Sequence, residues 1–127
     1  MKIFLFALLL MPFVAPAELG VPADIVRAIS AGDATALGRF FDNSVEVSVS
    51  GKENIYSKAE AIEIVKGFFA KNRPKAFSQV HQGASKGKDS QYCIGDLTTT
   101  GGAFRVYIYI KNVGETSIIQ EIRFDAP

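Results

Sequence analysis

Apolar positions along this chain follow two different periods. Between Val21 and Phe41 they recur every three or four residues, and after Ser44 they begin to alternate. Val21, Ile25, Ala28 and Ile29 fall on one helical face, with Pro22 suited to the first turn and Gly32 to the stop. Asp33 caps a second helix that places Ala34, Leu37, Phe40 and Phe41 on one face. Ser44 to Ser50 alternates strictly and predicts a strand with Val45, Val47 and Val49 inward, closed by Gly51. Ser57-Lys58-Ala59-Glu60 is a capping box that opens the longest helix. This helix runs to about Lys71, buries Ala61, Ile62, Val65, Phe68 and Phe69, and is stopped before Pro74.

From Phe77 onward the pattern predicts an antiparallel meander of about four strands. Ile and Val greatly outnumber Leu here, as β-structure favours. Helices precede strands without repeats or a linker. The expected fold is therefore α+β, with N-terminal helices packed on a curved antiparallel sheet of about four to five strands. A two-residue loop at Gly101-Gly102 would pair Leu97 with Val106, Gly95 with Ile108, Cys93 with Ile110, and Asp96 with Tyr107. A three-residue loop over Asn112-Val113-Gly114 would set Arg105 opposite Glu121, avoiding the like-charge pair Arg105–Arg123. Phe104, Val106, Ile108 and Ile110 then face the core.

Composition divides the chain in two. The whole is 48% apolar, but much of the excess lies in residues 1–17. Lys2, the apolar run Ile3 to Met11 and the small residues Ala15-Pro16-Ala17 form a signal peptide with cleavage after Ala17. The run is too short to span a bilayer as a helix. Residues 18–127 are left as a single domain, exported to the periplasm or the extracellular space, with no membrane attachment after cleavage. The 14 basic and 13 acidic residues become equal in number once Lys2 is removed. A neutral domain has no field to attract nucleic acid.

Candidate chemistry is sparse. Cys93 is the single cysteine, cannot form an internal disulfide, and reads as buried and inert. His81 is the only histidine, so no multi-histidine metal site exists, and neither metal nor cofactor is expected. Gln79 and His81 share the parity of Phe77, and Gln120 lies among Ile118, Ile122 and Phe124. With Cys93 they are the candidates for a polar patch in an apolar pocket. The favoured reading is that they satisfy one another, since buried polar groups need partners with or without a ligand. Asp96 would be the orienting carboxylate for His81, but the register puts it on the opposite face, which argues against catalysis. That other face gathers Tyr92, Ile94, Arg105, Tyr107, Tyr109, Ile119, Glu121 and Arg123, the composition of an interface core. It is the candidate surface for a homodimer or another partner; a helix folded across it is the competing explanation.

The order of elements resembles the nuclear transport factor 2-like superfamily of cystatin-like α+β folds. Particular motifs resemble a family of small exported bacterial proteins called domain of unknown function 4783. They are Ile29-x-x-Gly32-Asp33, Leu37-x-x-Phe40-Phe41, Val45-Glu46, Tyr56 to Glu60, Phe68-Phe69 with Pro74, and Phe77-x-x-x-His81-x-Gly83. Tyr92-x-Ile94-Gly95, Thr99 to Gly101 and Phe104 to Tyr107 complete the set. The resemblance implies a cone enclosing an apolar pocket and a sheet that often dimerises. It supplies no catalytic residues. Two functions follow as expectations: a non-catalytic domain binding a small apolar ligand or a protein, and a cofactor-free isomerase or lyase using His81 in the cone. A scaffold subunit, with a filled cone and an occupied outer face, is the third.

Overall fold

The computed structural model describes residues 21–87 and 89–127, so the signal peptide read at residues 1–17 lies outside the described residues. Helix α1 (Ala23–Ala31) begins when the Pro22 carbonyl accepts from Ile25 N–H at 3.0 Å. It buries Ile25, Ala28 and Ile29. Gly32 ends it in the left-handed region at φ 67°, with Asp33 N–H reaching back to Ala28 O at 2.9 Å. A side chain at Gly32 would also press on the Pro74 ring, at 2.8 Å, so conformation and close approach both require glycine. Asp33 then caps α2 (Ala34–Gly38), accepting from Ala36 N–H at 3.0 Å.

Helix α2 is shorter than its apolar pattern suggests. It stops at Gly38, which packs directly against Ile62, and Phe41 already starts β1 (Phe41–Val49). Val45 and Val47 point into the core. Ser50 and Gly51 both take positive φ, the geometry of a tight hairpin turn, and lead into β2 (Lys52–Ser57). Strand β2 is absent from the sequence expectation because it lies at an edge and is mostly exposed, so it lacks a run of buried alternating residues. Helix α3 (Lys58–Lys71) follows. Ser57 Oγ accepts from Glu60 N–H at 3.3 Å and donates to Glu60 Oε1 at 3.2 Å. Only half of the expected capping box forms, since Ser57 is also the last residue of β2, paired with Ser44.

The chain then crosses to the far edge and returns as a meander: β3 (Pro74–Ala84), β4 (Ser90–Thr99), β5 (Gly102–Val113) and β6 (Thr116–Asp125). The strand order is β2-β1-β6-β5-β4-β3. The sheet therefore has six strands rather than four to five. It is mixed rather than antiparallel, because β6 closes the meander beside β1 and runs parallel to it. Bulges bend it at several points.

Both predicted registers are displaced. The β4–β5 loop is Thr100-Gly101, not Gly101-Gly102, because Thr99 Oγ1 bridges the turn, donating to Gly102 O at 2.7 Å and accepting from Gly101 N–H at 3.0 Å. Leu97 thus pairs with Phe104, Cys93 with Ile108 and Asp96 with Arg105. The β5–β6 loop is Gly114-Glu115, with Gly114 at φ 61°, which sets Arg105 opposite Asp125 and Tyr109 opposite Glu121.

The three helices pack against one face of the sheet. Phe68 lies at the centre of an aromatic cluster there. Its ring centroid is 4.2 Å from Phe124 in a stacked pair and 4.9 Å from Phe104 edge-on. Leu97, Val106, Ile108, Ile110 and Ile122 are fully buried in the same core.

Candidate functional site

The four pocket candidates do not assemble. Cys93 is buried as expected, and its thiol donates to Gln79 Oε1 at 3.5 Å. Burial pushes that thiol up to about 11, so it is protonated at neutral pH. His81 is not on the core face. Strand β3 carries a bulge between Gln79 and His81, so Gln79 pairs with Gly95 but His81 pairs with Ile94, on the outer face, where it is exposed. Gln120 leaves the core face for the same kind of reason. It is the extra residue of a bulge in β6, between the pairs Ile110–Ile119 and Tyr109–Glu121, and its amide donates to Asp42 Oδ2 at 3.2 Å. Of the expected patch only Gln79 and Cys93 meet. Asp96 is on the outer face as expected, but Arg105 engages it at 3.1 Å, and no ion pair joins it to His81 among the described residues.

The outer-face candidates do assemble, with one exception. Ile119 is fully buried, because the β6 bulge reverses the facing of the residues before it. The remaining seven form a grid across three adjacent strands. Tyr92 pairs with Tyr109 and Ile94 with Tyr107 between β4 and β5. Tyr107 in turn pairs with Arg123, and Tyr109 with Glu121, between β5 and β6. The rings of Tyr92 and Tyr107 stack at 6.3 Å, and Tyr92 packs against Gly83, where a Cβ would come within 2.4 Å of the ring. Beside them a shallow groove of about 440 Å³ is lined by Ile94, Arg105, Tyr107, Glu121, Arg123 and Asp125.

The grid carries both charges. Arg123 bridges Glu53 at 3.1 Å and also binds Glu121. Glu46, Glu53 and Glu121 bring carboxylate oxygens within 4.8 Å of one another. A hydrogen bond from Glu53 holds the Glu46 carboxyl above its ordinary range, with burial and the Glu121 charge acting the same way. Partial burial raises the Tyr107 phenol, assisted by Glu121. Sequence reasoning missed Glu46, Glu53 and Asp125 as members of this face, and it missed the pairing of Asp96 with Arg105. Glu53 depends on the unseen β2; the Asp96–Arg105 pair would have followed from the correct turn.

Helices on one face of a bent six-stranded mixed sheet, with an α-α-β-β-α-β-β-β-β order, define a nuclear transport factor 2-like α+β fold. Residues 22–125 match the family described as Domain of unknown function (DUF4783), and the chain belongs to it. A DUF4783 family protein from Bacteroides ovatus ATCC 8483 is 31% identical, with 84% of this chain and 96% of that chain covered and a TM-score of 0.79. One from Bacteroides fragilis YCH46 is 27% identical, covering 85% and 100% respectively, also with a TM-score of 0.79. An NTF-2 like protein of unknown function from Silicibacter pomeroyi DSS-3 shares the fold at 16% identity and a TM-score of 0.58, over 80% of this chain and 85% of that one. No curated protein matches the sequence.

Proposed function

We propose that this is an exported, non-catalytic interaction domain that pairs with a second copy of itself through the outer face of β4, β5 and β6. The observation that carries the reading is the Tyr92–Tyr107–Tyr109 grid, flanked by Arg105 and Arg123, on a face that none of the described helices covers. Tyr and Arg are the residues that concentrate binding energy at interface centres. A two-fold interface must be complementary to itself, so it needs both charges within one patch. Asp96, Glu121 and Asp125 beside the two arginines meet that requirement. A small apolar ligand inside the cone receives less support, because two of its four polar candidates, His81 and Gln120, leave the core face. The isomerase or lyase alternative rests on His81, which the β3 bulge turns away from the cone.

Light scattering on the purified protein over a range of concentrations tests the pairing. The expected mass is that of a dimer, converted to one protomer by Tyr107→Glu with unchanged circular dichroism. A concentration-independent mass of one protomer for the wild type overturns it. Native mass spectrometry of protein from its own host reads dimer mass and any retained ligand together.

A further inference from the structure

A second surface lies on the helical side of the sheet, away from the Tyr-rich face. Helix α3 exposes Ile64, Gly67 and Lys71 along one stripe, with spacings of three and four residues. The stripe borders a groove of about 500 Å³ whose apolar wall is Val49, Phe68 and Phe104. Gly67 has no structural explanation within the chain. Glycine is among the poorest helix formers, yet this one sits mid-helix, has no positive φ, and a Cβ there would meet nothing within 4 Å. Its consequence is an open floor to the groove. Lys71 ends the stripe, and among the described residues no carboxylate pairs with it.

We propose that this groove binds a free single-chain anionic amphiphile. The tail lies over Gly67 between Ile64 and Phe104, and the carboxylate meets the Lys71 ammonium. The volume falls in the range of small-molecule sites, roughly 300–1,000 Å³. Ile64 and Lys71 are seven residues apart, about 10 Å along the helix, which suits a medium acyl chain. Apolar walls with one charged group at the end would fix the direction of the ligand. This site shares no residue with the outer face, so it stands or falls independently of self-association.

Isothermal titration of the purified protein with decanoate, kept below its micelle concentration, tests the proposal against two probes of equal tail, decanol and decyltrimethylammonium. The expected result is saturable binding of one decanoate per protomer and no binding of the cation. Lys71→Gln should weaken decanoate about two- to fivefold, the scale of one exposed ion pair, while leaving decanol unchanged. Gly67→Leu should abolish binding of both while leaving the melting temperature equal or higher, because leucine favours the helix and fills the floor. That opposite movement separates occlusion of the groove from loss of fold. Absence of saturable decanoate binding overturns the proposal. So does equal affinity in wild type and Gly67→Leu, equal binding of the cation, or association only with vesicles or micelles.

Discussion

Replacing Phe68 by alanine tests whether the cone is closed by its own side chains. Phe68 is 5% exposed, and its ring contacts those of Phe124, Phe104 and Phe69 at centroid distances of 4.2, 4.9 and 5.9 Å. Truncating a buried phenylalanine costs about 3–5 kcal/mol, and rigid surroundings place the cost high in that range. The two closer aromatic pairs, with Phe124 and Phe104, each add about 0.5–1.5 kcal/mol beyond buried area, so Phe68→Leu, which keeps most of the area, should cost about 1–3 kcal/mol. The alanine variant should then lose about 4 kcal/mol from a total of about 5–15 kcal/mol. At about 4 °C per kcal/mol for a domain of this size, the melting temperature falls by about 15 °C. Urea unfolding followed by circular dichroism reads the effect as a lower midpoint at unchanged slope. A cost below about 1.5 kcal/mol for alanine would refute the reasoning, because the surroundings would have to be loose or collapsible. A cost well below about 1 kcal/mol for leucine would refute the aromatic part alone. Loose surroundings would restore the cone interior as the place for a small apolar ligand.

Three further predictions follow from individual contacts. The Cys93 thiol, buried and pushed up to about 11, should resist a thiol reagent at pH 8 until the protein unfolds, and rapid stoichiometric labelling would contradict its placement. Since the unfolded thiol ionises from about 9.0, the native state holds more protons above that pH. Stability relative to Cys93→Ala should therefore decline as pH rises toward 11, measured by urea midpoints. The raised Glu46 carboxyl has the same sign of linkage: stability is lost as pH rises through its folded pKa, above the ordinary 4.5. Glu46→Gln should stabilise by about 0.5 kcal/mol at neutral pH, a gain that fades in acid; a destabilised variant at neutral pH would reverse the reading. A Cβ at Gly95 would lie 2.5 Å from the Phe77 ring and 2.8 Å from the Ser78 carbonyl oxygen, whereas one at Gly67 meets nothing within 4 Å. Calorimetric scans should show Gly95→Ala losing about 1–3 kcal/mol and Gly67→Ala gaining up to about 1 kcal/mol.

The pattern of what the sequence revealed follows from the range over which each signal acts. Caps at Asp33 and Ser57 and the stops at Gly32 and Pro74 are local, and they are where the residues imply. The β4–β5 register was displaced by two residues, yet Cys93 and Leu97 face the core and Tyr92, Arg105 and Tyr107 face outward as expected. A shift by an even number of residues leaves every side chain on its face. A bulge inserts one residue, and one residue reverses everything on its far side. That is why His81 moved outward and Ile119 inward together with their neighbours on that side of each bulge, while Phe77 and Gln79 in β3 and Ile122 and Phe124 in β6 stayed in place. The β6 bulge had a trace in the sequence: Ile119, Ile122 and Phe124 are spaced three and then two apart, which an unbroken strand cannot bury on one side. The β3 bulge left no such mark, because that edge strand is largely exposed and its apolar positions do not report a face. Sites drawn from β4 and β5 therefore rest on parity alone and persisted, while a site drawn across β3 and β6 depended on two insertions. The Tyr-rich face survives because its aromatic residues all belong to the two strands paired without interruption.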